Sequence, residues 1–441
     1  MTNATGSNLP PRLTGPVPGR SSRALSRRLA GVESRNITYR ARDFPIFWRK
    51  ASGSNVWDPD GNRFVDLTAG FGVAAAGHGN RRIAAAIRKQ LTRQMHGLGD
   101  VHPPVAKLRL LEALARRSPI PDSRAILVNS GSEAVEAALK TARLATGKPG
   151  VLAFTGAYHG LTYGALALTD RAHFRAPFSD QLNAHVVRVP FPTESAEAGL
   201  VAVEAALGSE RGGAVGALII EPIQGRGGII EPPAGFLPGL AELCNRLGVL
   251  LILDEIYKGL GRTGSWFACE HEGVIPDLLC VGKALSGSLP IAACLGSASV
   301  MSAWPESTGE AIHTSTFLGN PLACAAATAS LHEIARRGLP ERAAAIGAEW
   351  KLELSQLAQR HDVVRAVRGR GLMLGVELVE PMTGKPATER AGRIVLEALR
   401  HGWILLGDGP SANVLALTPP LTISRELLMR ATELLDRLLG Q

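Results

Sequence analysis

The run GVLLILDEIYKGLGRTG (248–264) decides how the rest of the chain is read. Five consecutive apolar residues, Val249 to Leu253, lead into Asp254 and Glu255 and then into a glycine-punctuated turn. An apolar run without polar alternation is the pattern of a strand buried on both faces of a parallel sheet. An acid closing such a strand needs a partner. Further on, PDLLCVGKALSGSLPIAA (276–293) sets Lys283 on a glycine-flanked turn after a second short apolar run. A lysine between apolar walls has a lowered pKa and becomes nucleophilic. Together the two residues suit one chemistry. The amine can condense with an aldehyde cofactor such as pyridoxal phosphate, and the carboxylate can keep that cofactor's pyridine nitrogen protonated. A metal site is the rival reading of the acids, but no His or Cys group with ligand spacing accompanies them.

Outward from this centre, residues 123–283 alternate short apolar runs with amphipathic segments. RAILVNS, GVLAFTG, GALIIEP, VLLILDE and LLCVG read as strands, and SEAVEAALKTARLA and GFLPGLAELCNRLG read as helices. This alternation predicts an α/β fold with a mostly parallel sheet, of seven strands by the resemblance described below, covered by helices on both faces. Beyond about residue 330 the texture changes to long Ala/Leu/Arg helices around GLMLGVELV and VLALTPPLTI, a smaller α+β domain. FWRKASGSNVWDPDGNRFVDLTAG (47–70) reads as two strands around an Asp60-Gly61 turn, and joining the C-terminal segment is the economical place for them. The expected divisions are a disordered lead-in at 1–20, an N-terminal part of the small domain at 21–75, a large cofactor-binding domain at 76–328, and the C-terminal small domain at 329–441.

Composition narrows the function classes. With 20% charged and 45% hydrophobic residues in 441, the chain is globular and long enough for one large and one small domain. The net charge of +9 is concentrated in residues 1–50, where ten Lys and Arg face only Glu33 and Asp43. A near-neutral body with a basic arm argues against a nucleic-acid enzyme, which carries its basic surface on the folded domain. No apolar run reaches membrane-spanning length. The five cysteines are odd in number, widely spaced and free of CxxC pairs, which predicts reduced thiols and a cytoplasmic location.

Other motifs carry part of the chemistry. NSGSEAVEAALK (129–140) brings Gly131 and Ser132 to a helix start suited to a phosphate, although Ser-x-Ser-Glu serves equally as a helix cap. AFTGAYHG (153–160) puts Tyr158 and His159 at a strand end, where ligands sit in open α/β sheets. Tyr158 could stack on a flat ring or simply pack. LIIEPIQGRGG (218–228) closes another apolar run with Glu221, and HTSTFLGNPLACAAATASL (313–331) offers Thr316 before a helix start at Asn320-Pro321.

In combination, NSGSEA, AYHG, EPIQG, LDEI with GLGRTG, GKALSG, HTSTFLGNP and PPLTI resemble the class III (subgroup II, omega-type) aminotransferases of pyridoxal-phosphate fold type I, in family order from about residue 35 to the C-terminus. The resemblance implies that Lys283 joins the cofactor and shuttles the proton, that Asp254 binds the pyridine nitrogen, and that Glu221 acts beside it. It further implies cofactor contacts from Gly131, Ser132, Tyr158, His159 and Tyr257, with Thr316 supplied by the neighbouring subunit of a homodimer. Small-molecule amines and keto acids are the implied partners, with no nucleic acid and no membrane.

Four positions depart from the family pattern. Ala416 stands where members binding an α-carboxylate have Arg, Leu161 where many users of 2-oxoglutarate have Arg, Arg226 where an acid is usual, and Tyr257, followed by Lys258, where Gln is usual. Either Arg226 or Lys258 takes over carboxylate binding, or the donor has no carboxylate beside its amine. The reading adopted is an omega-amine or non-standard amino acid donor with pyruvate or 2-oxoglutarate as acceptor. The alternatives are a racemase or epimerase of the same fold and, behind it, a non-catalytic regulator.

Overall fold

The computed structural model describes residues 7–441. Its strands in chain order are β1 (Lys50–Ser52), β2 (Asn55–Trp57), β3 (Arg63–Asp66), β4 (Ser123–Val128), β5 (Gly150–Phe154), β6 (Val186–Val189), β7 (Val215–Ile220), β8 (Leu250–Asp254), β9 (Leu278–Val281), β10 (Ala292–Ser297), β11 (Val364–Arg370), β12 (Met373–Leu378), β13 (Trp403–Ile404), β14 (Leu406–Asp408) and β15 (Val414–Leu417). The large sheet runs β4-β10-β9-β8-β7-β5-β6. It is parallel from β9 through β6, and β10 is antiparallel to both neighbours. The fold is the α/β architecture expected, with β6 and β10 added to the strands named from sequence.

Side-chain alternation explains why the central strands are apolar throughout. On β7, Leu218 and Ile220 join one core cluster, and Ala217 and Ile219 the other; on β8, Leu251 and Leu253 oppose Ile252 in the same way. The face carrying the smaller residues packs on the helix Gly131–Thr146, whose Ala134, Ala137, Ala138 and Ala142 are buried. Small side chains on both surfaces let helix and sheet approach closely.

The N-terminal strands join the C-terminal segment, as expected: β13 extends β1-β2-β3 by a parallel pairing with β3. The remaining sheet, β11-β12-β15-β14, is antiparallel. Two expectations need correction. The disordered lead-in does not hold for residues 7–20. Arg12 bridges Arg63, Asn55 Oδ1 accepts from Leu9 N at 2.9 Å, and Asn62 Oδ1 accepts from Thr14 N at 2.7 Å. Buried asparagines that need partners pull this segment into place. Residues 1–6 lie outside the described residues. The boundary at 328 falls inside the continuous helix Pro321–Arg336, which Asn320 caps through Leu322 N and Ala323 N. No described helix is long and apolar enough to cross a membrane.

Candidate active site

Four neighbouring parallel strands, β9, β8, β7 and β5, end on the same edge of the sheet, and each delivers a functional residue just at or past its end. Asp254 is the last residue of β8, Glu221 follows β7, Tyr158 and His159 follow β5, and Lys283 follows β9. Carboxyl ends of adjacent strands form the natural crevice of an open α/β sheet. The tertiary structure thus gathers residues that the sequence separates by up to 125 positions.

Asp254 is 2% exposed and spends both oxygens: Oδ2 lies 2.8 Å from His159 Nδ1, and Oδ1 accepts from Ile256 N at 3.0 Å. Burial alone would raise its carboxyl, but the His159 bond and the Lys258 charge hold it below its ordinary value. It is therefore an anion fixed at a strand end. His159 is equally buried, and its Nε2 has no hydrogen-bond partner among the described residues. His159 reaches the site through Asp254, which it orients, and this second-layer role had no signal in the sequence.

Lys283 has φ +40°, a left-handed conformation rarely adopted by a lysine and one that concentrates at active sites. Its Nζ stands 4.8 Å from the Tyr257 ring centroid. Burial, then the charge of Lys258, lowers its pKa to about 8. A neutral amine is a nucleophile and a proton acceptor, whereas an ammonium is neither. The cofactor-free protein should therefore capture pyridoxal phosphate faster as pH rises through about 8 and level off above it. Stopped-flow absorbance across pH 6 to 10 checks the position of that rise.

Glu221 is 2% exposed, accepts from Tyr158 N at 3.0 Å and Gly225 N at 3.1 Å, and pairs with Lys258. Lys258 was expected as a substrate contact. It is instead 1% exposed with its ammonium spent on Glu221, so it cannot reach a substrate carboxylate. Tyr257 is held on two sides by glycines: a Cβ at Gly72 would lie 2.7 Å from its ring, and one at Gly225 would lie 2.6 Å away. Its hydroxyl pairs with Thr418 Oγ1 at 3.0 Å. Gly72 sits at φ +81°, so both the backbone and the ring demand glycine there.

The remaining predicted residues divide. Gly131 opens the helix Gly131–Thr146, with Ser130 as its cap accepting from Glu133 N at 3.3 Å. The cap and phosphate readings therefore both survive, because the first-turn N–H groups of Gly131 and Ser132 have no partner within any helix. Ser132 Oγ accepts from Leu161 N at 3.2 Å, and Gly160 packs so close that a Cβ there would meet this oxygen at 2.1 Å. Thr316 is exposed on a segment tied to residues 95–102 through Thr314 and Asp100, and to the end of β4 through Ser315 Oγ, which accepts from Asn129 Nδ2 at 3.2 Å. Arg226 donates from Nε to Asp408 Oδ1 at 3.0 Å, with its guanidinium 5.5 Å from the Tyr158 ring centroid. Arg171 donates to the Arg226 carbonyl at 2.7 Å and also to Gly409 O. Arg171, Asp408, Gly72 and Thr418 were not found from sequence. They come from distant segments, and only the low side-chain demand at Gly70 and Gly72 hinted at a close approach.

These residues fit pyridoxal phosphate. The buried anion Asp254 suits a pyridinium, the depressed lysine suits an aldehyde, Tyr158 offers an aromatic face, and the helix start at Gly131 suits a phosphate. Among the described residues, no group of three His, Cys, Asp or Glu side chains could hold a metal.

The family model for class III aminotransferases matches residues 37–439. The 4-aminobutyrate aminotransferase of Mycobacterium leprae is 37% identical, covering 96% of this chain and 97% of its own. The acetylornithine aminotransferase of Methanopyrus kandleri is 39% identical over 90% of this chain and 95% of its own. The solved structure of an amine transaminase from an uncultivated Pseudomonas species, with pyridoxal phosphate bound, superposes with a TM-score of 0.84 at 30% identity, covering 93% of this chain and 98% of that one. This similarity gives the racemase alternative no support. The chain belongs to the class III aminotransferase family and is a pyridoxal-phosphate-dependent transaminase of fold type I.

Proposed function

We propose that the enzyme takes its amino group from an omega-amine or an amino acid whose carboxylate is remote from the reacting amine, and passes it to a keto acid or aldehyde such as pyruvate or 2-oxoglutarate. The observation that carries this reading is the environment of Ala416. It packs with Ile223, Ile229, Met373 and Tyr257 into an apolar patch, so no cation stands where a carboxylate beside the amine would need one. Leu161 is likewise apolar and half exposed. The family relatives support the same donor class, since those named above act on 4-aminobutyrate and acetylornithine.

A carboxylate further from the amine has a partner in Arg226. This side chain is one-third exposed and shares Asp408 with Arg171, so the three groups carry a net positive charge. Replacing Arg226 by Ala is expected to raise the KM for a dicarboxylic acceptor about tenfold, a value reduced for partial exposure, while kcat with a carboxylate-free amine donor changes little. Steady-state kinetics with about twenty amines against both acceptors tests this. Unchanged constants for every acceptor would remove Arg226 from substrate binding.

The roles of the chain's own groups follow from their positions. When bound, the cofactor supplies an aldehyde and an electron-withdrawing ring. Lys283 would hold the aldehyde carbon through its Nζ. As a free amine that Nζ would take up and give back the proton of the substrate carbon. Asp254, oriented by His159, would keep the proton on the pyridine nitrogen. Tyr158 would offer its aromatic face to the ring, and the N–H groups of Gly131 and Ser132 would hold the phosphate. Glu221 fixes the backbone of Tyr158, and Tyr257 forms a wall beside Lys283.

The assembly we propose is a homodimer in which Thr316 reaches the partner's phosphate. Exposed Met95, Leu98, Val101, Val105, Leu108, Ile312 and Phe317 support it, and the two segments that carry them touch through His96 and Phe317, whose ring centroids are 5.6 Å apart. The proposed division is a large domain centred on the seven-stranded sheet and a small domain from the N- and C-terminal segments, supported by the β3–β13 pairing. A cytoplasmic location completes the reading, supported by five buried, unpaired thiols.

A further inference from the structure

We propose that Asp408 and Arg171 are positioning residues that build a carboxylate subsite on Arg226, holding its guanidinium by one edge and leaving the opposite fork for the remote carboxylate of a substrate. The inference deepens the proposed function and rests on its reading of Arg226 as the carboxylate contact. Three separate segments meet here. Arg226 lies on the loop beyond β7, Asp408 is the last residue of β14 in the antiparallel C-terminal sheet, and Arg171 precedes the short helix Ala172–Arg175. Asp408 is 7% exposed, and its Oδ1 takes three donors: Arg226 Nε at 3.0 Å, Gly409 N at 3.1 Å and a terminal nitrogen of Arg171 at 3.4 Å. The same Arg171 nitrogen donates to the Arg226 carbonyl at 2.7 Å and to Gly409 O. Arg171 therefore ties the loop of Arg226 to the end of β14. Glycines allow the approach: a Cβ at Gly228, where φ is +110°, would lie 3.4 Å from Gly409 Cα.

What stays open defines the subsite. Among the described residues, Nε is the only side-chain nitrogen of Arg226 with a hydrogen bond, so its two terminal amino groups have none. They belong to a side chain one-third exposed, with its guanidinium carbon 5.5 Å from the Tyr158 ring centroid at the end of β5. Phe174, three positions past Arg171, meets the same ring edge-on at 5.8 Å. On the other side, Gly225 packs against the Tyr257 ring, which lies 4.8 Å from Lys283 Nζ. The open groups therefore border the crevice of the reacting lysine. A guanidinium binds a carboxylate best through two parallel N–H bonds. With Nε committed to Asp408, the two terminal nitrogens form the remaining fork. Its planar geometry is already aimed, so little rotamer freedom is lost when a carboxylate arrives. One carboxylate between two guanidinium groups also leaves a net positive charge to attract an anion.

The test reads a ratio in the holoenzyme: kcat/KM for 2-oxoglutarate divided by kcat/KM for a carboxylate-free aliphatic aldehyde, with one carboxylate-free amine as donor throughout. A general loss of folded enzyme or of chemistry cancels in this ratio. Asp408→Ala and Arg171→Met are each expected to lower it about tenfold, whereas Asp408→Asn, which keeps the accepting oxygen, is expected to retain most of it. In an Arg226→Ala background the same two changes should leave the ratio where Arg226→Ala alone puts it, since they act through Arg226. If Asp408→Ala does not fold, Arg171→Met and its combination with Arg226→Ala decide. A ratio unmoved or raised by these changes, an effect that persists in full without Arg226, or an Asp408→Asn loss as large as that of Asp408→Ala would overturn the proposal and leave Arg226 as a contact. A ratio unmoved in Arg226→Ala itself would overturn the reading of Arg226, and this proposal with it.

Discussion

Lys283→Ala is expected to lower kcat by about 10⁴-fold or more, because one side chain supplies both the covalent anchor and the proton carrier. Single-turnover mixing of the cofactor-loaded variant with a saturating amine should show no conversion on the timescale of native turnover. Borohydride treatment gives a second readout, independent of turnover. In the native enzyme it should fix the cofactor to residue 283 as a stable secondary amine, recoverable on a labelled peptide. In the variant no such label should form, although pyridoxal phosphate still binds through Asp254, Tyr158 and the helix start at Gly131. A label elsewhere with retained turnover would displace Lys283 from its role. The fold should survive the change: Ala keeps the same backbone strain at φ +40° that Lys already bears, and it removes a partly buried amine that is a cost to the native state.

Asp254→Asn should cost about 10²- to 10³-fold in kcat with a smaller effect on KM, since it removes a fixed charge aimed at a developing one. Asn still accepts a bond from His159 through its oxygen, so the loss reflects charge and not collapse of the pair. A cofactor methylated at the pyridine nitrogen carries its positive charge permanently. Part of the lost rate should return in the variant loaded with that analogue. The rate of the half-reaction, followed by visible absorbance with native and methylated cofactor, is the measurement. Equal rates for native and variant with the natural cofactor would show that Asp254 does not sustain the charge. Because burial and His159 act on Asp254 in opposite directions, the net anion depends on the bond from His159 Nδ1.

The identity of β4, β5, β7, β8 and β9, the face-to-face burial of β7 and β8, and the placement of Lys283, Asp254, Glu221 and Tyr158 at strand ends were readable from local pattern. They depend on short-range facts: a period of two along a strand, an acid or lysine after an apolar run, and glycine where the chain turns. The family-ordered motifs carried the rest of the assignment, including the cofactor. Two local readings failed for a common reason. The lead-in at 7–20 looked polar and proline-rich enough to be free, yet Asn55 and Asn62 bind it. Lys258 was read as a possible contact for a substrate carboxylate, yet it is buried against Glu221.

The sequence by itself determined the chemistry, because a lysine and a carboxylate at strand ends are chemical types fixed by residue identity and local pattern. Only the tertiary structure decided which charges meet. Asp254 becomes a lasting anion through His159, 95 positions earlier, and Arg226 is steered by Asp408, 182 positions later. Tyr257 stands upright because Gly72 and Gly225 leave room and Thr418 takes its hydroxyl. The physical reason is range. Backbone preference and hydrophobic periodicity act over a few residues, whereas the field at a buried nitrogen is a sum over whatever the fold brings within several ångströms, at low dielectric, from any part of the chain.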